Sequence, residues 1–188
     1  GLVGAIDLWC PLINDFPENE AFFREREAAG EKVLVYTCLI PGGKWLNRTM
    51  DMEHLRQVYF GWGAAHYHTF GYLHWGLNQY KADPFRQSVV HHPSPVASAN
   101  NFLPAGDTHV IYPGEDGPLS SIRFEAHRLG IEDYELFHQL GKFSLRKKDS
   151  VVSRIFKSYT SYSVSVKKYR SMRRKLLKSL SRYLASEN

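Results

Sequence analysis

Three predicted strands end in aromatic residues, and these residues give the first indication of a binding site. Trp9, Tyr36 and Trp75 each close a short apolar run, and Asn78 and Tyr80 follow the third run. Indole and phenol rings stack on flat apolar surfaces, whereas amide and phenol groups form hydrogen bonds. We therefore expect the three rings to open into one common cavity, with Asn78 and Tyr80 at its mouth. The alternative is that the rings are core aromatics and that Asn78 and Tyr80 only cap a loop.

Two carboxylates are candidates for the same cavity. Asp7 lies two residues before Trp9 and so shares its face of the first strand. Because a carboxylate in an enclosed interior needs a partner, Asp7 either binds a ligand hydroxyl or pairs with an Arg, and the structural role is preferred. Asp107 lies in the loop before Tyr112, from which it could reach the cavity.

The adjacent pair Glu132-Asp133 invites an acid and base interpretation, which the helix geometry argues against. Neighbouring residues on a helix point about 100° apart, so the two carboxylates cannot converge on one bond. We expect them to bind Arg or backbone groups at a helix end instead.

The histidines do not have the spacing of a metal site. His66 and His68 fall at a predicted helix end, where residues i and i+2 do not face each other. His74 and the pair His91-His92 complete no His-Glu-x-x-His or Cys-x-x-Cys pattern. We therefore expect no metal and no cofactor.

The order of predicted elements is strand, helix, strand, helix, strand. This alternation is typical of an α/β fold with parallel strands joined by right-handed crossovers, in which ligands bind at the carboxyl ends of the strands. The three aromatic residues lie at those ends. The strands are predicted over residues 1–9, 32–38 and 70–75, and the helices over 19–29, 51–66, from Ser120 or Ser121 to about 140, 151–159 and 167–184.

Charge divides the chain near residue 141. Residues 1–141 have 10 Lys and Arg against 17 Asp and Glu, whereas residues 142–188 have 14 against 2, so net charges of −7 and +12 sum to +5. The basic tail, 142–188, is predicted to dock its Tyr169, Leu176 and Leu180 stripe on the rest of the chain. A membrane-surface helix is the second possibility, and nucleic-acid contact is not expected because no recognition motif accompanies the charge.

Three features of the sequence concern disulfide bonding, membrane spans and the extent of the protein. If Trp9 and Tyr36 face one cavity, Cys10 and Cys38 point apart, so no disulfide is expected and the redox compartment stays open. No apolar run approaches the ~20 residues that span a bilayer. The chain opens on Gly1 inside a predicted strand, which suggests a piece of a longer protein.

Residues 1–140 resemble the C-terminal part of the catalytic domain of glycoside hydrolase family 123, which is also catalogued as a domain of unknown function. The resemblance rests on several motifs in order, which together are specific. They are Asp7-Leu8-Trp9-Cys10-Pro11, Tyr36-Thr37-Cys38, Trp75-Gly76-Leu77-Asn78, Gly106-Asp107, Tyr112-Pro113-Gly114, Ser121-Ile122-Arg123 and Gly130-Ile131-Glu132-Asp133-Tyr134-Glu135.

The resemblance implies a (β/α)8 TIM-type barrel that removes β-linked N-acetylgalactosamine from glycan ends, in an extracytoplasmic location. In such enzymes the sugar's own acetamido oxygen attacks the anomeric carbon, while an Asp-Glu pair orients the acetamido group and protonates the leaving oxygen. That pair lies on a middle barrel strand, so the resemblance places it upstream of Gly1. Since a barrel needs roughly 250 residues, this chain alone is expected to be inactive and to require the remainder of its barrel.

Three hypotheses follow from the sequence. The first is the C-terminal part of a hexosaminidase-like barrel whose aromatic residues contact a glycan substrate. The second is a non-catalytic carbohydrate-binding barrel, and the third is an interaction module that acts through the basic tail. An upstream Asp-Glu pair at a strand end would favour the first over the second.

Overall fold

A three-stranded parallel sheet organises the N-terminal part of the protein. The computed structural model describes residues 1–92 and 102–186 of the 188-residue chain. The sheet has the order β1 (Leu8–Trp9), β2 (Lys32–Thr37) and β3 (Gly71–His74), and both pairings are parallel. The predicted parallel α/β arrangement is therefore confirmed.

Two helices connect these strands. The helix α1 (Glu20–Ala28) joins β1 to β2 and ends before Gly30, which adopts a φ of 91°. The helix α2 (Leu55–Tyr67) joins β2 to β3 and is buried on most sides, which explains its apolar sequence. After β3 come the short antiparallel strands β4 (Val90–His91) and β5 (Phe102–Leu103).

The longest helix, α3 (Ile122–Phe143), packs against α2. Ser121 caps it by accepting a hydrogen bond from the backbone N–H of Phe124, as the predicted Ser cap requires. The two helices meet at Gly61 and Gly130, where a Cβ on Gly130 would lie 2.5 Å from the carbonyl oxygen of Val58. Glycine at this crossing therefore allows the helix backbones to touch.

The basic tail packs on the same hydrophobic core. It consists of α4 (Leu145–Val152), a hairpin of β6 (Phe156–Ser158) and β7 (Ser161–Tyr162), and α5 (Val166–Ala185). Tyr169, Leu176 and Leu180 are buried, so the predicted docking of this stripe is confirmed. No helix within residues 1–92 and 102–186 combines the length and apolar character needed to cross a bilayer.

Two predicted elements are wrong in extent or type. The first strand covers only Leu8–Trp9 instead of residues 1–9, because β1 has a single partner and pairs with it over two residues. The helix predicted over 151–159 is absent, since α4 ends at Val152 and β6 begins at Phe156. The apolar side chains of that stretch are buried, but successive ones come from a helix, a turn and a strand.

Candidate functional site

Asp107 is the centre of a buried network at the carboxyl end of β3. Its side chain is fully buried, and its two oxygens accept different donors. Oδ1 accepts a hydrogen bond from His74 Nε2 at 3.0 Å, and Oδ2 accepts one from the indole Nε1 of Trp75 at 3.0 Å. The carboxylate therefore fixes two consecutive side chains that follow from one strand.

The hydrogen bonds define a neutral His74. Its Nδ1 accepts a hydrogen bond from the backbone N–H of Gly76 at 3.3 Å, so the proton is on Nε2, which donates to Asp107. Burial lowers the pKa of His74 to about 4, although the hydrogen bond to Asp107 acts in the opposite direction. The imidazole is therefore a neutral donor at pH 7.

Two buried arginines clamp the loop that contains Asp107. Arg123, in the first turn of α3, donates to the carbonyl oxygens of Gly106 at 2.8 Å and His109 at 2.7 Å. Arg48 donates from Nη2 to the carbonyl oxygen of Asp107 at 2.9 Å, and burial lowers its pKa to about 10. Gly106 has a φ of 77°, and an added Cβ there would lie 2.6 Å from Nη1 of Arg123. The loop conformation therefore depends on both guanidinium groups and on this glycine.

Trp75 is held in a defined orientation at the mouth of the sheet. Its half-buried ring packs against the small apolar cluster of Val90 and Leu103, together with Leu39, which lies just beyond β2. Because Asp107 binds its indole N–H, the ring has both an apolar support and a polar anchor. Asp107 thus acts as a positioning residue for Trp75.

Tyr36 lies near the carboxyl end of β2, the strand next to Trp75. The register pairs it with Leu73, so both side chains point to the face of the sheet opposite that of Val35. On this open face Leu73 is 43% exposed, whereas Val35, on the helix side, is 2% exposed. Burial raises the pKa of Tyr36, so its phenol is neutral and able to donate a hydrogen bond at pH 7.

The expectation that Trp9 faces the same side of the sheet as Tyr36 and Trp75 is wrong. The register pairs Trp9 with Val33, which places its side chain on the helix side of the sheet, away from Tyr36. Its ring packs edge-to-face on Phe22 of α1 at 5.2 Å, and its indole N–H donates to Glu31. Trp9 therefore lies on the face of the sheet opposite that of Tyr36, and the three rings cannot line one cavity.

The related expectations for Asp7 and the cysteines change with Trp9. Asp7 is exposed and lies before β1, so it does not face an enclosed interior; its carbonyl oxygen accepts the backbone N–H of Lys32. The argument that Cys10 and Cys38 point apart loses its premise, because Trp9 and Tyr36 occupy opposite faces. Both cysteines are free thiols in the structure, Cys10 exposed and Cys38 half-buried.

Asn78 and Tyr80 lie beyond β3, as expected for residues at a strand mouth. Asn78 is exposed and forms an antiparallel bridge with His109 through the backbone. The Tyr80 hydroxyl donates to the carbonyl oxygen of Ile111 at 2.9 Å, and its ring lies 5.8 Å from that of His109. Since a phenol oxygen is also an acceptor, the Tyr80 oxygen can still accept a hydrogen bond from a ligand hydroxyl.

The pair Glu132-Asp133 binds an arginine, as predicted, although in the middle of α3 and not at its end. Asp133 is fully buried and accepts hydrogen bonds from Trp62 Nε1 at 2.9 Å and the Tyr169 hydroxyl at 2.8 Å. Arg173 completes the set, with its Nε 2.6 Å from Asp133 Oδ1 and Nη2 3.4 Å from Glu132. This carboxylate therefore joins α2, α3 and α5.

The histidines are engaged separately. His66 packs on the ring of Phe156 at 5.7 Å, whereas a ring nitrogen of His68 lies 3.3 Å from Lys148 Nζ. Across the described parts of the chain, no three His, Cys, Asp or Glu side chains are grouped as metal ligands would be.

Sequence reasoning missed the roles of His74, Arg48 and Arg123. A signal was present for Arg123, since a cation in the first turn of a helix faces the unfavourable end of the helix dipole and so indicates another partner. No comparable signal marked Arg48, whose partners lie in a distant loop.

Comparison with known proteins identifies the family. The model of the glycoside hydrolase 123 catalytic domain matches residues 5–140, and no curated protein sequence matches. Among solved structures, a family 123 glycoside hydrolase from Clostridium perfringens, described for glycolipid glycan hydrolysis, is similar with a TM-score of 0.66 at 16% identity. The similarity covers 90% of this chain and 31% of that one, so the chain spans about a third of that enzyme. With the family model matched over most of its length, the chain belongs to glycoside hydrolase family 123.

Proposed function

We propose that this chain is the C-terminal part of a (β/α)8 barrel of a glycosidase that removes terminal N-acetylgalactosamine from glycans. The observation that carries the proposal is the orientation of Trp75, whose indole is anchored by Asp107 at the carboxyl end of a parallel strand. Ligands of parallel α/β folds bind at that end of the sheet. The substrate class is supported by the family and by the glycolipid glycan described for the Clostridium perfringens enzyme.

The open face of the sheet supports a larger barrel. Leu8 of β1 and Leu73 of β3 are each 43% exposed on this face. Additional barrel strands would cover both leucines, because the interior of a closed barrel is filled by the inward-facing side chains of its strands.

In this proposal the aromatic wall binds the sugar. The ring of Trp75 stacks on the apolar face of the terminal sugar, and Tyr36 lies beside it on the next strand. The exposed amide of Asn78 exchanges hydrogen bonds with sugar hydroxyls, and the Tyr80 oxygen accepts one from a sugar hydroxyl. The acetamido oxygen of the substrate then acts as the nucleophile, as in other substrate-assisted hexosaminidases.

The catalytic carboxylates come from outside this chain. A general acid needs a proton to give and access to the leaving oxygen. Asp107 has both oxygens occupied by N–H donors and is fully buried, and Asp133 is enclosed between three helices. The second candidate function, a carbohydrate-binding barrel without catalysis, likewise needs no catalytic carboxylate in this chain.

Hydrolysis of a chromogenic N-acetyl-β-galactosaminide tests the proposal. The longest protein that contains this chain is expected to hydrolyse it, whereas residues 1–188 alone are expected to be inactive. The matching β-galactoside, which carries a hydroxyl in place of the acetamido nucleophile, serves as the control and is expected to remain intact. Binding of N-acetylgalactosamine without hydrolysis would support the non-catalytic barrel, and neither binding nor hydrolysis by the longer protein would contradict both functions.

A further inference from the structure

The solvent side of α5 is cationic along its whole length. Within Val166–Ala185 the helix contains eight Lys and Arg residues and no Asp or Glu. Its apolar stripe is buried against the core, so the basic side chains occupy the opposite side. We define the cationic face by five of the exposed basic residues, which are Lys167, Arg170, Arg174, Lys178 and Arg182.

The charges of this face are not neutralised within the described chain. Within the described residues, the ion pairs of α5 are those of Arg173 with Glu132 and Asp133, at the edge of the helix that contacts α3. None of the five residues of the cationic face has an ion pair among residues 1–92 and 102–186. Such an arrangement raises the local concentration of anions and favours an anionic partner.

A groove between α4 and α5 adds a concave site to this face. Lys147 lies in the first turn of α4, where the helix N-terminus contributes further positive potential. The groove encloses about 280 Å³, a volume large enough for a phosphate-bearing headgroup. Its lining consists of basic and hydroxyl side chains, including Lys147, Ser171, Arg174, Lys178, Ser179 and Arg182.

We propose that the cationic face binds a membrane surface that contains anionic lipids, with a headgroup phosphate in the groove. Leu177 and Leu184, seven residues apart and so on one side of the helix, are 42% and 47% exposed at the border of this face. Leucines among basic residues suit the boundary between headgroups and acyl chains. Since Tyr169, Leu176 and Leu180 are held in the core, α5 adsorbs to the membrane without inserting its buried stripe.

The same face is poorly suited to single-stranded nucleic acid. Proteins that bind single strands combine basic grooves with exposed aromatic rings on which bases stack. The aromatic residues of α5 turn inward, because Tyr169 is buried and Tyr183 stacks on Phe143 at 5.5 Å. A membrane is therefore the partner that both the charges and the exposed leucines fit. The proposal does not depend on the glycosidase function.

Co-flotation of the complete chain with lipid vesicles tests this proposal. Binding is expected to vesicles of phosphatidylcholine with roughly a third phosphatidylserine at low salt, and not to pure phosphatidylcholine. Raising the salt to about 0.5 M is expected to weaken binding at least tenfold, because exposed charges are then screened. The triple variant Arg174→Glu, Lys178→Glu and Arg182→Glu is expected to lose at least tenfold in apparent affinity.

A matched variant and a competing ligand complete the test. Lys44→Glu, Lys81→Glu and Arg154→Glu make the same charge change at exposed positions outside α5, and this variant is expected to retain binding within about twofold. Circular dichroism checks that both triple variants are folded. Equal loss in the two variants, absence of binding to anionic vesicles, or binding to single-stranded RNA in preference to vesicles would each overturn the proposal.

Discussion

The indole Nε1 of Trp75 donates a hydrogen bond to Oδ2 of Asp107 at 3.0 Å, although 32 positions separate the two residues. This bond turns the ring at a strand end into a fixed part of the surface. A ring that is already oriented loses less conformational freedom when it binds a ligand.

Replacement of Asp107 by Asn is expected to loosen Trp75 and destabilise the protein. The N–H₂ group of the new amide would face either the His74 Nε2–H or the Trp75 indole N–H, both of which are donors. One buried donor then has no acceptor, which costs about 1–3 kcal/mol in free energy of unfolding. Hydrogen exchange followed by NMR would show faster exchange of the Trp75 indole proton, whereas the Trp62 indole proton, bound to Asp133, stays protected. Asp116→Asn, at an exposed position, is the control; unchanged exchange at Trp75 would contradict this role of Asp107.

Acidification is expected to destabilise the protein through buried histidines. Burial holds the pKa of His74 at about 4 and that of His127 at about 3, below the ~6.5 of an unfolded chain. The unfolded state therefore binds more protons between these values, so stability falls as the pH drops below ~6.5. Each histidine contributes about 2 kcal/mol to the loss at pH 5.

Urea unfolding at pH 7.5 and pH 5 measures this dependence. His74→Gln removes the titrating group, so the difference in unfolding free energy between the two pH values is expected to shrink. The exposed His138 provides the matched variant His138→Asn, whose pH dependence is expected to follow the wild type. If His74→Gln kept the full difference, protonation of His74 would not be its source.

The two neighbouring carboxylates of α3 are expected to differ sharply when each is neutralised. Asp133→Asn leaves Arg173 without its buried partner and disturbs Trp62 and Tyr169, so we expect a loss of about 3–5 kcal/mol in the free energy of unfolding. Glu132→Gln removes only exposed ion pairs and is expected to change that energy by less than about 1 kcal/mol. Chemical denaturation of the two variants decides; similar values would refute the central role of Asp133.

Two glycines of α3 are expected to respond in opposite directions to alanine. At Gly130 a Cβ would press on the carbonyl oxygen of Val58, so Gly130→Ala is expected to cost about 1–3 kcal/mol or more. At Gly141 a Cβ would meet Lys148 Cδ at an ordinary 3.5 Å, and the change is expected to stabilise by about 0.5–1 kcal/mol. Thermal unfolding compares the two; a neutral Gly130→Ala would mean that α2 and α3 do not pack so closely.

Periodicity and caps predicted the regular elements well. Ser121 correctly predicted the start of α3, and the alternation of strands with helices correctly predicted the parallel sheet. The helix prediction for residues 151–159 was wrong, because Val151, Ile155 and Tyr159 repeat at helical spacing although Val151 lies in α4 and the other two lie in the turns before and after β6. Local spacing cannot distinguish these cases, since the choice depends on packing against α2 and α5.

The site was predictable only in part. The position of Trp75 at a strand end could be inferred from its sequence neighbours, but its bond to Asp107 depends on a fold that brings distant loops together. The prediction that Trp9 faces the site was wrong, because the register between adjacent strands decides which side chains share a face, and Trp9 pairs with Val33. A one-residue change in register exchanges the two faces of a strand, which no single sequence specifies.

The kinetics of Trp75→Ala and Trp9→Ala, in the longest protein that contains this chain, test the central claim most directly. Both variants remove an indole from a strand end, but only Trp75 lies at the proposed sugar site. With a chromogenic N-acetyl-β-galactosaminide, Trp75→Ala is expected to lower kcat/KM by roughly tenfold or more, and Trp9→Ala to stay within about twofold while losing stability. Unchanged kcat/KM in Trp75→Ala, or an equal loss in the folded Trp9→Ala variant, would contradict a sugar site at Trp75.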